Sequence, residues 1–586
     1  MLKSILPEKI KSLARSHLPK KFNTVNSLHI SVEHYKELFL GLKQAHIYTD
    51  DAEIISNTKK FQIEDLVIHP LKSLRTSLSQ ESDKTRAEQC FVIPNANDII
   101  EYYRTLRDFI GSGQQDNKAI HWCPIGEFSY IGGSIAATKN ATAVSYSLFN
   151  HLSLYFGINE PVWTILVRSK FNQELVSTSF LMPHEEINEV VHGEDASGFS
   201  CTVVGLIPKL NKQYHHRWRF QFSVEQNKSW STNHGVHHEA WGKTTATDWD
   251  FYPSNDGQNS SLEVVSSEAS QLPCPIQDVK FPSKFTSEIL MRSNSESYQV
   301  NNASIFGFGL CDSVFYGNHL ISRHKNVALP SDRVDYVAEL RDRHIIYNKY
   351  ILPISNSRLR HGIRWPFEGA EGITLKYFDH RGYPVGECTV NQDRSPIWID
   401  DYLSCTCHDS KTVWIYPETD LKISFIQPDL VVGLTEESSD SIIDFDITEF
   451  QSSWRNQRSH DPKLPHWLGK KKGILPSTKQ IIGISSATVT EAYLLLSSGT
   501  PADIDKQGQI QSSKHVVTVT AYRNSKPVWI ENLMLDLNDL KTVRIPNELN
   551  CLGVWFGIRA YDVDLVTWIV LIHNNNSVSC QHAWGY

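Results

Sequence analysis

Hydrophobic and polar residues alternate with a period of two in many short runs beyond residue 115, a pattern typical of β-strands with one buried face. Strand-like runs in this part of the chain lie at residues 133–138, 162–167, 218–224, 482–487 and 516–522. Short strands separated by frequent turns, in stretches of roughly a hundred residues, are typical of β-sandwiches. The alternation therefore predicts a mainly β fold for most of the chain.

Two stretches of this pattern end alike. Residues 237–242 read His-His-Glu-Ala-Trp-Gly, and residues 580–586 read Cys-Gln-His-Ala-Trp-Gly-Tyr. The strand-like runs before both endings follow the same order, and a middle stretch repeats that order less clearly. Because copies of one unit fold alike, we expect three β-sandwich-like units, at residues 121–242, 301–400 and 481–586. For the middle stretch, chance similarity within a β-rich chain is the alternative.

The segments outside these units have other patterns. Residues 251–300 are rich in Ser, Asn and Pro and are predicted as a linker, and residues 401–480 are predicted as a long connection. Residues 1–115 are predicted to be mostly helical, because Ser31 and Asn97 can each cap a segment with an apolar stripe. The predicted fold is a smaller α-helical N-terminal region followed by three β units.

Residues 1–22 combine apolar residues near helical spacing with several lysine and arginine residues and a single acid, Glu8. A basic amphipathic helix of this kind can lie in a membrane interface. Pro7 and Pro19 limit the helix to roughly three turns, which is short for an anchor. Docking of this helix on the protein itself is the alternative to peripheral membrane contact.

The composition argues against several classes of protein. The net charge of −8 and the pI near 6.3 lack the basic character of nucleic-acid-binding domains, so we expect no nucleic-acid partner. Ten cysteines scattered over 586 residues are too sparse for a disulfide scaffold. The sequence has no apolar core of signal-peptide type and no apolar run of the ~20 residues that span a bilayer. These features predict a reducing, cytoplasmic setting, with residues 1–22 as the one segment suited to a membrane surface.

His234, His237, His238 and Glu239 form the best metal-binding candidate in the sequence. Three imidazoles and a carboxylate within six residues can bind Zn²⁺ or another transition metal. In such a site the three histidines are the ligands, and Glu239 is the general base for a metal-activated water. A straight strand would put residues 237 and 238 on opposite faces, so the site requires a turn. A polar loop that merely contains histidines is the alternative.

Two cysteine-containing segments are weaker candidates. Cys405 and Cys407, followed by His408, lack the gap of two to four residues that is usual between zinc ligands. His121 and Cys123 are close in sequence, but cysteine catalysis needs a base in spatial contact and a third, orienting group. The sequence contains no P-loop, Rossmann glycine pattern, nucleophile elbow or kinase motif.

Aromatic residues in polar segments are the remaining signal. Trp454 and Trp467 lie in a polar stretch, where their flat faces can stack on sugar rings or on partner surfaces. The sequence therefore predicts a multi-domain, β-rich binding or assembly protein that recognises a glycan or protein partner through loops and aromatics. Two alternatives stay open: a metal-dependent enzyme, acting for example on carbohydrate, and a structural subunit that self-assembles through strand edges.

Overall fold

A computed structural model gives the fold. The residues that the structure describes are 27–32, 44–61, 63, 65–73, 89–95, 120–122, 125–137, 141–157, 159, 161–170, 173–208, 220–226, 228–234, 236–237, 249–251, 261–271, 280–291, 298–300, 312–316, 319–323, 350–353, 358–364, 374–379, 384–389, 397–403, 412–418, 429–435, 443–445, 478–497, 514–536, 540–560 and 565–585. They are mostly β-strand, in several small sheets with few helices. None of the helices among them has the length and apolar character to cross a membrane.

The N-terminal region contains a parallel sheet that the sequence pattern does not predict. The elements of the N-terminal region are β1 (Ser27–Ile30), β2 (Gln44–Tyr48), α1 (Ala52–Thr58), β3 (Asp65–His69), β4 (Gln89–Val92) and β5 (Ile120–Trp122). The sheet has the order β3–β2–β4–β5 with parallel pairing, and α1, capped by the Asp51 side chain, lies between β2 and β3. The mostly helical prediction for residues 1–115 is not confirmed, because apolar runs of four or five residues fit a buried strand as well as a helical turn. The helices expected after Ser31 and Asn97, and the basic segment 1–22, lie outside the described residues.

Unit A, as we call residues 126–237, consists of two sheets. Its elements are β6 (Gly126–Ala136), β7 (Ala143–Phe149), α2 (Leu152–Phe156), β8 (Val162–Lys170), β9 (Gln173–Leu181), β10 (Glu186–His192), β11 (Ser200–Pro208), β12 (Phe220–Gln226), β13 (Ser229–His234) and β14 (Val236–His237). One sheet has the order β6–β11–β8–β9, and both β1 and β14 also pair with β6. The other sheet has the order β10–β7–β12–β13.

The segment predicted as a linker, residues 251–300, instead contains long paired strands. This part of the chain comprises β15 (Trp249–Phe251), β16 (Ser261–Gln271), β17 (Lys280–Met291), β18 (Tyr298–Val300), β19 (Asp312–Tyr316) and β20 (His319–Arg323). The antiparallel sheet β17–β16–β19–β20 and the pair β15–β18 lie between unit A and the next unit in the chain.

Unit B (residues 350–445) overlaps only partly with the middle unit predicted at residues 301–400. Its strands are β21 (Tyr350–Pro353), β22 (Leu359–Arg364), β23 (Thr374–Asp379), β24 (Pro384–Thr389), β25 (Ile397–Trp398), β26 (Thr412–Glu418), β27 (Asp429–Leu434) and β28 (Ile443–Phe445). The predicted long connection, residues 401–480, thus contributes three of these strands.

Unit C (residues 478–585) is the last unit. Its strands are β29 (Thr478–Gly483), β30 (Val489–Ser497), β31 (Lys514–Arg523), β32 (Lys526–Asp536), β33 (Leu540–Arg544), β34 (Trp555–Ala560), β35 (Val566–His573), β36 (Val578–His582) and β37 (Trp584–Gly585). The run predicted at residues 516–522 lies in β31, which forms a hairpin with β32, and the turn residues Asn524 and Ser525 have φ values of 50° and 64°. Single 3₁₀ turns lie at Lys59–Phe61, Leu71–Ser73, Gly193–Asp195, Ile399–Tyr402 and Asn547–Leu549.

The strand orders of units A, B and C correspond position by position. Unit B forms sheets β21–β26–β23–β24 and β25–β22–β27–β28, and unit C forms sheets β29–β34–β31–β32 and β33–β30–β35–β36. Counted from the first strand of each unit, all three therefore have the orders 1-6-3-4 and 5-2-7-8. The last strand of units A and C also returns to the first strand, as β14 pairs with β6 and β37 with β29.

The sequence of β7 explains how unit A is packed on both sides. Every residue of β7 is buried, although the strand alternates between hydroxyl-bearing or small residues and large ones. Because successive side chains of a strand point to opposite faces, Val144, Tyr146 and Leu148 enter the core between the two sheets. The other face, with Ser145, Ser147 and Phe149, is covered by unit C, which has a separate hydrophobic core of its own.

Candidate functional site

The predicted metal ligands are not gathered in one strand. His234 ends β13 and pairs with Gln221 of β12, whereas His237 lies in β14 and pairs with Gly133 of β6. These two strands belong to different sheets of unit A. His238 and Glu239 lie outside the described residues. In the part of the chain that the structure describes, no group of three or more His, Cys, Asp or Glu side chains could hold a metal ion.

The other sequence candidates also lie mostly outside the described residues. Trp454, Trp467, Cys405, Cys407 and Cys123 all lie outside them. The metal-dependent enzyme and the aromatic glycan site therefore stay predictions.

The most extensive polar feature of the described residues is a buried seam between units A and C. It joins the outer face of sheet β10–β7–β12–β13 to loops and strand ends of unit C. Four of its hydrogen bonds cross directly between the units: Ser145 Oγ to the Ser485 carbonyl, the Gly483 amide to Gln221 Oε1, Trp555 Nε1 to Ser147 Oγ, and the Trp230 amide to Ser577 Oγ. The side chains on both sides of the seam are buried, so water does not compete for these bonds.

Part of the seam is a continuous chain of side-chain hydrogen bonds, the seam chain. Its members in order are Ser485, Ser223, Thr232, Ser579, His573, Thr488 and Ser486, with successive distances of 2.7, 2.8, 2.7, 2.8, 2.9 and 2.8 Å. Ser223 and Thr232 come from unit A, and the other five residues come from unit C. A buried hydroxyl without a partner costs about 1–3 kcal/mol, so the seam chain favours one register of the two units over any shifted one.

His573 is the titratable member of the seam chain. Its Nδ1 lies 2.9 Å from Thr488 Oγ1, its Nε2 lies 2.8 Å from Ser579 Oγ, and its ring stacks on Trp230 of unit A. Complete burial lowers the pKa of His573 to about 3, so the imidazole is neutral at neutral pH. A neutral imidazole has one donor and one acceptor nitrogen, and its tautomer therefore sets the direction in which the neighbouring hydroxyls donate.

An aromatic cluster closes the seam at the end near α2. Phe149 stacks on Trp555 with ring centroids 5.1 Å apart, and His184 stacks on Tyr522 at 4.6 Å. His184 Nε2 is 2.7 Å from Ser153 Oγ, and burial, with a contribution from the nearby Arg559 cation, lowers the pKa of this histidine. Stacked and hydrogen-bonded in this way, the cluster adds apolar contact to a seam otherwise rich in hydroxyls.

Two glycines lie at tightly packed positions of the seam. Within unit C, a Cβ at Gly483 would lie 2.6 Å from the ring of Trp555, whose indole donates to Ser147 of unit A. Gly553 has a φ of 87°, and a Cβ there would lie 2.2 Å from Asn188 Nδ2 of unit A. Each position therefore requires glycine for steric reasons, and Gly553 requires it for its backbone conformation as well.

Unit A also contains a charged cluster around Glu189, away from the seam chain. The carboxylate accepts hydrogen bonds from Tyr146, Arg168 and Lys170 at 2.5, 2.9 and 2.6 Å. Burial alone would raise the pKa of Glu189, but these hydrogen bonds outweigh it and lower the pKa below its ordinary value. Glu189 and Tyr146 belong to one sheet, whereas Arg168 and Lys170 belong to the other, so the cluster links the two sheets of unit A.

The exposed apolar residues of unit C lie on the hairpin β31–β32, and we call them the open face. They are Val516, Val528, Ile530 and Met534, each about half exposed, at 49%, 47%, 58% and 49%. Val516 pairs with Met534 across the hairpin, and Ile530 pairs with Thr520. The open face continues a surface whose neighbouring part, at Tyr522 and Trp555, unit A already covers. Apolar groups that stay exposed together commonly mark a site of protein interaction.

No protein-family model matches this chain, and no curated protein sequence is significantly similar to it. The roles of the seam and of the open face are therefore argued from this chain's own residues.

Sequence reasoning missed the seam, although a signal was present. In the stretch 143–149 apolar residues alternate with Ser145 and Ser147, a pattern that predicts a strand with one buried and one solvent-exposed face. Two features distinguish it from an ordinary half-exposed strand: Phe149 falls on the serine face, and charged residues are absent from the run. Serine is small and uncharged, so a serine-lined face can be covered when partners for its hydroxyls are supplied.

Proposed function

We propose that this chain is a multi-domain β-rich assembly or binding protein in which units A and C form one platform that presents the open face to a protein partner. The observation that carries the proposal is the cluster of half-exposed aliphatic side chains on β31 and β32, of which Ile530 is 58% exposed. Covering such residues removes apolar surface from water, at about 25 cal/mol per Å².

The chemistry of the open face favours a protein partner over a glycan. Sugar rings are bound by stacking on flat aromatic faces, whereas Val516, Val528, Ile530 and Met534 are aliphatic. Aliphatic side chains on a pleated sheet suit the side chains of another strand or sheet. A glycan site that includes Trp454 and Trp467 stays a separate prediction.

The seam supports the platform part of the proposal. Its buried hydroxyls are partnered across the two units, and each wrong register would leave several of them without partners. A fixed arrangement of units A and C presents the open face without a large entropic cost on binding.

We further infer that units A, B and C are copies of one β-sandwich-like unit, with bounds 126–237, 350–445 and 478–585. The shared strand orders 1-6-3-4 and 5-2-7-8 support this inference, as do the similar endings near Trp241 and Trp584. Chance agreement of eight strand positions in three stretches is improbable for independent folds of this complexity. The proposed middle copy therefore lies later in the chain than residues 301–400.

A paired purification tests the functional proposal. Tagged full-length protein, its Ile530→Lys variant and a Leu175→Lys control are purified from the source cells under the same conditions, and the co-purifying proteins are quantified by mass spectrometry. Leu175 is a suitable control because it is 38% exposed and lies on β9, which occupies in unit A the position of β32 in unit C. An untagged copy of the chain is co-expressed, and we expect either this copy or another protein to be lost with Ile530→Lys and retained with Leu175→Lys. Identical sets of co-purifying proteins from all three, together with equal recovery of the untagged copy, would refute the proposal.

A further inference from the structure

The free edge of unit C adjoins its open face. In the sheet β32–β31–β34–β29–β37, strand β32 is terminal and, among the described residues, pairs with β31 alone. The strand is 11 residues long. A long terminal strand presents a row of main-chain donors and acceptors that a further strand can pair with.

The side chains of β32 on the open face are arranged nearly symmetrically around Asn532. Ile530 lies two residues before it and Met534 two residues after it, and all three are exposed. Two copies of β32 paired antiparallel about Asn532 would therefore place Ile530 of one copy opposite Met534 of the other, twice. Apolar cross-strand pairs of this kind contribute roughly 0.2–1 kcal/mol each.

Charge selects this register over its neighbour. Pairing centred one residue earlier would place Glu531 directly opposite its own copy, and like charges in opposed positions are destabilising. Pairing about Asn532 places Glu531 opposite Leu533 and brings two amide side chains together at the axis, where they can hydrogen-bond to each other.

We propose that the partner at this surface is a second copy of the chain, joined by antiparallel pairing of β32 with β32 about Asn532. This inference rests on the proposed function, because it names the partner of the same open face. The interface is isologous, so one surface serves both copies and a closed dimer results. The open faces of the two copies then form one continuous apolar strip across the joined sheets. A single strand pair is a small interface beside the roughly 800 Å² per partner of a standard one, so we expect dissociation in the micromolar range.

Oligomeric state gives the first test. The mass of the full-length protein is measured by sedimentation velocity across the micromolar range, beside Ile530→Lys and the Leu175→Lys control. We expect a concentration-dependent dimer in the wild type and in the control, and a monomer in Ile530→Lys, whose two introduced ammonium groups face the same strip. Because Ile530 is largely exposed, the variant should keep the thermal unfolding temperature of the wild type.

A cross-link tests the register. Cα atoms opposed in an antiparallel pair lie about 4.5–5.5 Å apart, within the range a disulfide spans. Under mild oxidation Asn532→Cys should therefore give a disulfide-linked dimer. Val528→Cys should not, because in this register the two copies of residue 528 lie about 27 Å apart along the strands. The wild type, oxidised in parallel, gives the background from native cysteines.

The outcomes separate this inference from the proposed function. A wild-type dimer that Ile530→Lys dissociates, with a cross-link at residue 532 and none at residue 528, supports strand pairing about Asn532. A wild type that is monomeric throughout the range overturns the inference, as does a dimer that cross-links equally at both positions. If the protein is monomeric but Ile530→Lys still loses a co-purifying protein, the proposed function stands with a different partner.

Discussion

Acidification should destabilise the protein through His573, and the size of the effect follows from its burial. The pKa of His573 in the fold is about 3, whereas an unhindered histidine titrates at 6.5. The unfolded chain therefore takes up a proton first as the pH falls. The stability associated with the neutral ring is complete above about pH 6.5 and is lost progressively as the pH falls toward 3.

Between pH 7 and pH 5 this difference amounts to about 2 kcal/mol of unfolding free energy for the one group. The perturbation that isolates it is His573→Gln, because glutamine does not titrate and keeps one donor and one acceptor for the neighbouring hydroxyls. Urea unfolding at both pH values gives the free energy of unfolding of each protein. The wild type should lose about 2 kcal/mol more than the variant on acidification.

The comparison also removes the contribution of the other buried histidine with a strongly lowered pKa. His361 in unit B is fully buried and has a pKa of about 3, but it is present in both proteins and cancels in the difference. Equal losses of stability in wild type and variant would refute the reasoning. That result would mean that His573 is either solvated or already protonated in the folded protein.

Three further predictions concern the seam and the charged cluster. Gly553→Ala should lower stability by about 1–3 kcal/mol in thermal unfolding, because of its positive φ and the contact with Asn188, and adding Asn188→Ala should restore only the steric part. Trp555→Phe should cost about 1–2 kcal/mol in urea unfolding, because Ser147 loses its donor, and the double variant with Ser147→Ala should be more stable than Trp555→Phe alone. Glu189→Gln should destabilise at neutral pH, and its difference from the wild type should shrink as the pH falls below 4.5, where the unfolded-state carboxyl protonates.

Each of these has an outcome that would contradict it. For Gly553, full recovery in the double variant would show that the backbone conformation carries no cost. For Trp555, strictly additive losses would show that the indole and the hydroxyl do not interact. For Glu189, a pH-independent difference would show that the carboxylate is not ionised in the fold.

The sequence predicted the hairpin of unit C better than the N-terminal region, for a physical reason. At residues 517–521 apolar residues alternate with two threonines, and a two-residue turn follows after residue 523, so period and turn agree. The run at residues 482–487, by contrast, overlaps only the last two residues of β29. In the N-terminal region each apolar run, such as residues 90–93, is too short to distinguish a buried parallel strand from one turn of helix. Periodicity informs about an element only when the element is long enough to show a period.

The candidate site was harder to predict than the fold, because it depends on which surfaces meet. His234, Glu239 and Trp467 attract attention in a sequence by their side-chain chemistry, whereas Ser223, Thr232 and Ser579 do not. A serine on a strand is compatible with solvent, with a cap or with a buried seam, and only the packing of unit A on unit C distinguishes these cases. The partner residue of Thr232 is 347 positions away in the chain, beyond the reach of any local pattern.

The seam and the open face differ in chemistry, and the difference fits two kinds of contact. Hydroxyls such as Ser223 and Ser485 need directional partners, so a face lined with them is covered stably by one surface in one register. Aliphatic groups such as Ile530 and Met534 gain from any close apolar contact, because the free energy of burying apolar surface does not depend on direction. In the proposed dimer the polar seam is therefore the permanent joint and the apolar edge the exchangeable contact, the reverse of the expectation that permanent interfaces are the more hydrophobic ones.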